Sequence, residues 1–212
     1  MFRDVAVERI QAGIGFRTDL AATIVLRLQE AQDELEHGKS LPRFLIEEDA
    51  TLTLTVATNS VNLPTGFLRE VDDELPRYTQ SGATTPTFIK RKYFPDAREA
   101  YELDDTGGPK VYSLRKSSLY FFPTADQTYS LTWSYYKKAD PLTTNIENAW
   151  LAADVGKWLL IGEAGFRIAK DLRDQSAQDI FNDMRARARA ALYGDIVLDE
   201  FSAGPIALGE GL

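Results

Sequence analysis

The sequence contains no cysteine, a single histidine and no long apolar run. Each of these features argues against a class of protein. Without cysteine there is no disulfide framework, no thiolate zinc site and no catalytic thiol. The first ten residues, MFRDVAVERI, place charges where a signal peptide requires an apolar core. No stretch approaches the roughly 18 continuous apolar residues of a membrane span. We therefore expect a protein without membrane contact.

Few side chains are arranged for chemistry. The only histidine, His37, stands beside Gly38 at a predicted helix end, and no G-x-S-x-G motif accompanies it. The acidic runs at 72–74 and 104–105 offer oxygen ligands but lack the alternate spacing of a calcium loop, which favours solvated loops. A glycosidase that uses two catalytic carboxylates stays an open alternative, although nothing in the sequence selects a particular pair. The sequence predicts no catalytic residue, cofactor or metal.

Positively charged residues are outnumbered by negatively charged ones. The chain has 24 Lys and Arg against 32 Asp and Glu, a net charge of −8, whereas a sequence-specific DNA-binding protein normally presents a basic face. Basic residues cluster late, at Arg185, Arg187 and Arg189, with Asp183 one turn before Arg187. Arg185 and Arg189 share a helix face. They are candidates for contact with DNA or an acidic neighbouring subunit, with a solvated surface as the alternative.

The hydrophobic period changes twice along the chain, from helical to strand-like and back. Residues 4–14 predict a short helix, and a second helix follows Thr18-Asp19 with Gln29, Asp33 and Glu36 on its solvent side. Its apolar stripe consists of Leu20, Ile24, Leu28, Ala31 and Leu35.

Two further helices are predicted at 148–170 and from Ser176 to Gly194, the glycine acting as the stop. Their apolar spacing predicts buried side chains at Trp158, Phe166, Phe181 and Met184.

The middle region alternates with a period of two, which is typical of strands with one buried face. Leu52, Leu54 and Val56 form one such strand, and residues 61–63 are expected to return antiparallel to it. Residues 111–114 and 119–122 predict a hairpin, and the segment from Tyr129 to Tyr135 is the clearest strand. The segment 87–93 supports either strand or helix, and the role of the longer segment 78–101 is left open. The aromatic side chains of this region predict a core, with a sugar-binding platform as the alternative.

Together these patterns predict an α+β protein, with N- and C-terminal helices forming a bundle around an inserted antiparallel β sandwich or barrel-like unit. The helical domain spans 1–48 and 140–194, and the β domain spans 49–139. Residues 195–212 have no period and predict an extended C-terminal arm. Its apolar side chains are candidates for binding a neighbouring protein, in particular Ile196, Leu198, Phe201, Ile206 and Leu208.

The order of turn and strand motifs resembles a known family. Leu63, Pro64 and Phe67 form an LP-x-x-F turn, and GGPKVYSL follows from Gly107. LYFFPTAD then begins at Leu119, and YSLTWSYYKKADPL begins at Tyr129. In this order they are similar to the head-to-tail adaptor (connector) proteins of tailed, mainly short-tailed, bacteriophages. The resemblance covers roughly residues 44–192.

This resemblance implies a structural virion protein without catalytic residues. It implies a homo-oligomeric ring, a dodecamer, docked under the portal protein and joined on its far side to a tail nozzle or tail tube protein. Double-stranded DNA would pass through the lumen without specific binding, and assembly would occur in the host cytoplasm. The resemblance also implies portal anchoring through the C-terminal arm. A carbohydrate- or receptor-binding β module is the alternative.

Overall fold

The computed structural model describes residues 1–72, 74–80, 83–101 and 105–202, with the backbone alone from 193 to 202. The chain divides into two units: a helical unit, Met1–Leu45 with Ala139–Leu212, and a β unit, Ile46–Lys138. The structure confirms the α+β class. The α-helices, numbered along the chain, are α1 (Arg3–Gly13), α2 (Ala21–Glu36), α3 (Phe94–Ala100), α4 (Ala149–Ala152), α5 (Asp154–Asp171) and α6 (Gln175–Ser202).

The stripe predicted for α2 forms its contact with the helical core. Ile24, Leu28 and Ala31 are fully buried, and His37 caps the helix at its C-terminus. Glu36, however, was predicted on the solvent side and is buried. Its carboxylate accepts hydrogen bonds from groups more than 100 residues away, which helical spacing does not reveal.

The closing helices differ from the prediction in two ways. The first breaks at Ala153, whose extended backbone separates α4, capped by the Asn148 side chain, from α5. Gly194 does not end the last helix, because α6 continues to Ser202. A single glycine costs about 1 kcal/mol relative to alanine, which helix formers on both sides can offset. Residues 195–202 are therefore helical rather than extended, and 203–212 lie outside the described residues.

Fewer side chains of these helices are fully buried than predicted. Phe181 is 1% exposed, as predicted. Trp158, Phe166 and Met184 are only partly buried, so the prediction for them is wrong. Guanidinium groups cover two of these rings from the solvent side, Arg9 over Trp158 and Arg185 over Phe166.

The β unit contains short strands in two main sheets and one small pair. The strands are β1 (Ile46–Leu54), β2 (Ser60–Asn62), β3 (Phe67–Glu70), β4 (Arg77–Tyr78), β5 (Thr87–Phe88), β6 (Lys90–Arg91), β7 (Thr106–Gly107), β8 (Val111–Arg115), β9 (Ser118–Phe122), β10 (Thr124–Ala125) and β11 (Tyr129–Lys137).

One sheet has the order β1-β11-β4-β5, with β3 also paired to β11, and all of its pairs are antiparallel. The second sheet has the order β2-β9-β8-β6 and contains the predicted β8–β9 hairpin. Its β6–β8 pair is parallel, as is the separate β7–β10 pair, so the unit is not wholly antiparallel.

Strand β2 does not return along β1 as expected; it pairs with β9. The reason lies in the connection after β1. The Ala57 amide donates to the carbonyl of Ala125, and the Phe121 amide donates to the carbonyl of Asn59. These bonds carry the chain to the second sheet, and Val56, beyond the end of β1, is 50% exposed rather than buried.

The core of the β unit draws on both sheets. Trp133 is fully buried, with its ring 5.5 Å from Phe67 and 5.5 Å from Tyr135. Leu131 belongs to the same buried cluster, and Phe121 contributes to it from the second sheet. The alternation read along β11 thus predicts its buried side chains correctly at Tyr129, Leu131, Trp133 and Tyr135.

The segment 87–93, which supported either strand or helix, forms the strands β5 and β6. Helix α3 follows it, and Pro95 lies in the first turn of this helix, where a missing amide costs nothing. Among the described residues, no helix is both long and apolar enough to cross a bilayer.

Candidate assembly surfaces

The groups considered for chemistry do not come together. His37 is exposed at the end of α2, with its Nδ1 2.5 Å from the carbonyl oxygen of Asp33. Within the ranges that the structure describes, no three His, Asp or Glu side chains are grouped to hold a metal ion. Asp73 and Asp104, one from each acidic run, lie outside those ranges. The features that remain are contact surfaces and the polar clusters that shape them.

A buried polar cluster fixes α2 to the segment around α4. Glu36 Oε1 accepts from the Ala139 amide at 3.1 Å and from Trp150 Nε1 at 3.0 Å. Gln32 Nε2 donates to Glu36 Oε1, and Gln32 Oε1 accepts from Asn148 Nδ2 at 2.9 Å. A buried carboxylate is tolerated when its oxygens receive such donors. This cluster therefore specifies the packing rather than a reaction.

A second buried carboxylate engages the two predicted contact arginines. Glu163 of α5, whose side chain is 6% exposed, lies 3.3 Å from Arg185 Nη1 and 2.5 Å from Arg189 Nη2. Arg185 also covers Phe166, with its guanidinium carbon 3.8 Å from the ring centre. Both arginines thus donate hydrogen bonds within their own chain, although the Arg189 side chain remains about half exposed. The neighbouring Arg187 forms the predicted ion pair with Asp183, at 2.8 Å.

Helices α5 and α6 approach closely because two glycines of α5 face α6. A Cβ at Gly162 would lie 2.9 Å from the backbone nitrogen of Arg185. A Cβ at Gly165 would lie 2.4 Å from the Phe181 ring, which fills the space. The glycines therefore set the depth at which Phe181 is buried.

On the surface of the same helix pair lies an open apolar depression of about 490 Å³, here called the α5–α6 groove. Ile180 in this groove is 52% exposed, and Trp158 and Met184 are partly buried. The lining residues are Asp154, Val155, Trp158, Ile180, Asp183, Met184, Arg187, Ala188 and Ala191. Trp158 and Met184, which were predicted to be buried, line this groove, so the sequence carried a signal for its apolar lining but not for its exposure.

The β unit has a different surface, a cleft of about 1040 Å³ here called the basic cleft. It lies around α3, in the segment left undecided by the sequence. Four cationic side chains surround an aromatic and aliphatic floor, and Arg115 lies 4.5 Å from the Phe94 ring centre. The lining residues are Arg91, Lys92, Tyr93, Phe94, Pro95, Arg98, Glu99, Leu114 and Arg115. The run Lys90-Arg91-Lys92 was the available signal, and the overall negative charge concealed it.

The aromatic side chains that could have formed a sugar platform are committed elsewhere. Tyr112, Phe121 and Trp133 belong to the buried core of the β unit. Tyr120 packs edge-on against Phe94, and the Arg69 guanidinium lies over Tyr136. The described residues thus present no exposed row of rings on these strands.

The candidate arm residues are divided between two regions. Ile196, Leu198 and Phe201 lie on the last turns of α6. Ile206 and Leu208 lie outside the described residues.

The family model described as SU10 adaptor protein matches residues 3–207, which includes both the helical unit and the β unit. No curated protein matches the chain.

Proposed function

Because the chain belongs to the SU10 adaptor protein family, we propose that it is the subunit of a head-to-tail adaptor ring that joins the portal to the tail and lines the DNA exit channel. Family membership gives the protein a structural role as a bacteriophage adaptor and a place in the virion. The finer points are part of the proposal. They are a dodecamer that forms on the portal, a tail nozzle or tail tube protein beyond it, and assembly in the host cytoplasm.

The observation that carries this proposal is the extent of the family match, residues 3–207 of 212. The local features agree with it. The buried carboxylates Glu36 and Glu163 serve to hold helices together, and the open features are an apolar groove and a basic cleft. A non-enzymatic role follows as part of the same proposal.

Portal attachment is assigned to the C-terminal segment. Its apolar residues, Ile196, Leu198, Phe201, Ile206 and Leu208, are interspersed with glycines and acidic groups in a sequence with little capacity to bury them alone. Such a segment buries its apolar side chains by binding a partner, and Phe201 is the anchor because aromatic side chains dominate small interfaces. The helical backbone to Ser202 suits a helix that docks in a groove of the partner.

DNA passes the ring without specific binding in this proposal. The net charge of −8 repels phosphate, and Arg185 and Arg189 already contact Glu163. We expect the free subunit to bind duplex DNA weakly, without sequence preference and with affinity that falls steeply with salt. A filter-binding or anisotropy titration measures this. Submicromolar affinity at physiological salt would contradict the passive channel.

Co-purification with the portal protein of the same phage tests the function directly. The full chain should bind portal and form rings visible by electron microscopy. Phe201→Ala should weaken binding by at least tenfold, whereas Val56→Ala, an exposed apolar residue of the β unit, should not. Failure of the full chain to bind portal would refute the function, and normal binding by Phe201→Ala would refute the anchor alone. A glycan array covers the carbohydrate-binding alternative.

A further inference from the structure

The basic cleft of the β unit is a concentrated positive region on a chain whose net charge is −8. Its described lining comes from two segments, 90–99 and 110–116, which lie side by side because the Lys92 amide donates to the Tyr112 carbonyl at 2.8 Å. The charged residues of these segments are Lys90, Arg91, Lys92, Arg98, Lys110, Arg115 and Lys116 against Asp96 and Glu99. The local charge is therefore positive and favours an anionic partner.

Most of the cations that line the cleft are free to bind a ligand. Arg91 is the exception, because it lies 2.8 Å from the Glu70 carboxylate. The other lining cations, which form no ion pair with any residue that the structure describes, are Lys92, Arg98 and Arg115. Glu99 is the one acidic residue of the described lining. The cleft thus keeps a positive excess even without Arg91.

The floor of the cleft is apolar. Phe94 packs edge-on against Tyr120 at 5.0 Å and against Phe122 at 5.9 Å between ring centres, and Arg115 lies over its face. A guanidinium stacked in this way still presents N–H groups along its edge, where a carboxylate binds. Tyr93, next to Phe94 in the chain, is 72% exposed. A ligand with both carboxylates and an apolar side chain would match these features.

Nucleic acid matches the cleft less well. Duplex DNA is a stiff rod with its phosphates on the outside, so it can reach cations at the rim but brings no apolar group to the floor. Single strands bind by stacking successive bases on successive rings. Within the described lining, Tyr93 is the one ring left open, because Arg115 and Tyr120 cover Phe94.

The cleft has the composition and size of a protein-binding site. Tyrosine and arginine dominate the centres of protein interfaces, and Tyr93, Arg98 and Arg115 all line this cleft. Its volume of about 1040 Å³ is at the upper limit of small-molecule pockets, which measure about 300–1,000 Å³. It therefore has room for a short stretch of polypeptide.

We propose that the basic cleft docks an acidic segment of another protein, with its carboxylates on Arg98 and Arg115 and an apolar side chain against Tyr93. Each guanidinium can bind a carboxylate through two parallel hydrogen bonds, which fixes the orientation of the segment. The inference goes beyond the proposed function, in which the C-terminal segment of the helical unit attaches to the portal. It gives the adaptor a second docking surface, in the β unit.

The test uses the full chain and a fluorescein-labelled synthetic peptide, GEDFEELDG, which has carboxylates on both sides of its apolar residues. The control peptide, GQNFQQLNG, has nearly the same shape, but amides replace the side-chain carboxylates. Anisotropy titrations at physiological salt should show saturable binding of the acidic peptide, roughly tenfold or more tighter than binding of the control. No saturable binding, or equal binding of the two peptides, would overturn the inference.

Charge reversal locates the binding on the protein. Arg98→Glu should weaken binding of the acidic peptide by roughly fivefold or more. Lys170→Glu, at an exposed cation of α5 in the helical unit, makes the same change in net charge and should leave the affinity within about twofold. Circular dichroism checks that both variants are folded. Equal losses in the two variants would show that the overall charge, rather than the cleft, attracts the peptide, and would overturn the inference.

A ring substitution separates docking from simple charge attraction. Tyr93→Ala should weaken binding by roughly threefold or more without changing how steeply the affinity falls with salt. Phe88→Ala is the matched control, because Phe88 is 53% exposed and lies outside the described lining of the cleft. Binding that Tyr93→Ala leaves unchanged would overturn the inference.

Other occupants are tested under the same conditions. A duplex or single-stranded oligonucleotide that binds more tightly than the acidic peptide, and loses affinity in Arg98→Glu, would make the cleft a nucleic-acid site. Self-association of the chain that Arg98→Glu abolishes would make a second copy the occupant. Either result would overturn the inference.

Portal co-purification keeps this inference distinct from the proposed function. Arg98→Glu should bind portal as the parent chain does, because Phe201 anchors that contact. Failure of the peptide titrations with portal binding intact would leave the proposed function standing. Loss of portal binding in Arg98→Glu would place the portal itself at the cleft and overturn the assignment of a second docking surface.

Discussion

The helical unit and the β unit differ in the kind of buried side chain that determines how their cores pack. Among the residues whose side chains the structure describes, four polar or charged ones are buried in the helical unit, namely Gln32, Glu36, Asn148 and Glu163, whereas the β unit buries two serines, Ser113 and Ser134, among aromatic rings. In the helical unit, hydrogen-bond partners fix which residues meet. In the β unit, the shapes of rings such as Trp133 and the strand register do so. A single substitution should therefore fail for different reasons in the two units.

The largest effect is expected where the helical unit relies on shape rather than polarity. Phe181→Ala removes a ring that is 1% exposed and packed onto Gly13 and Gly165, and should lower the free energy of unfolding by about 3–5 kcal/mol. Chemical denaturation measures the loss. Ile180→Ala, one residue earlier and 52% exposed, is the control and should cost less than about 1 kcal/mol in the free subunit. Equal losses for the two variants would mean that the face of α6 is assigned wrongly.

The second effect tests the polar core of the helical unit. Glu36→Leu deprives the Ala139 amide and Trp150 Nε1 of a buried acceptor, and about 1–3 kcal/mol for each of these two orphaned donors predicts a loss of about 2–6 kcal/mol. Glu36→Gln keeps one oxygen acceptor and should lose less. Glu34→Ala, on the exposed side of α2, is the comparison and should cost below about 1 kcal/mol. If Glu36→Leu is neutral in thermal and urea unfolding, the polar cluster does not hold the helices.

The same contrast explains how much the sequence could predict. Local periodicity predicted the α2 stripe, the β8–β9 hairpin and the buried residues of β11, because each depends on neighbours in the chain. It placed Glu36 in solvent, since the partner amide of Ala139 is 103 residues away. It ended α6 at Gly194, because a local breaker was weighed without the helix formers beyond it.

The assembly surfaces were less accessible to sequence reasoning. The apolar spacing that includes Phe181 and Met184 was visible in the sequence, but which of these side chains a second helix covers depends on how α5 and α6 pack. Arg185 and Arg189 were candidates for contact with DNA or a neighbouring subunit, which stays a prediction, and their shared partner Glu163 became evident only in the structure. The basic cleft lies around the segment 78–101, whose hydrophobic pattern has no clear period. The composition of this segment did not indicate a structure or a function either.

The smallest effect concerns the β unit alone and appears only at high pH. Burial, and then a 2.6 Å hydrogen bond from the Tyr112 hydroxyl to Glu70, raise the pKa of Tyr112 above the ordinary value of about 10. Below pH 10 the phenol keeps its proton in both states, so its contribution to stability is constant. Above pH 10 the unfolded chain releases that proton while the folded chain retains it, and stability falls as pH rises.

Tyr112→Phe should remove this part of the alkaline loss. Between pH 9 and pH 11 the variant should lose about 1 kcal/mol less unfolding free energy than the parent chain. Part of the loss should remain, because burial also raises the pKa of Tyr129 and Tyr135. At pH 7 the variant lacks the hydroxyl bond, but Arg91 still lies 2.8 Å from Glu70, so the cost there should stay near 1 kcal/mol. Urea titrations at the two pH values measure both quantities. Parallel losses in variant and parent would show that the Tyr112 phenol ionises equally in the folded and unfolded chains, and that the β core does not resist its charge.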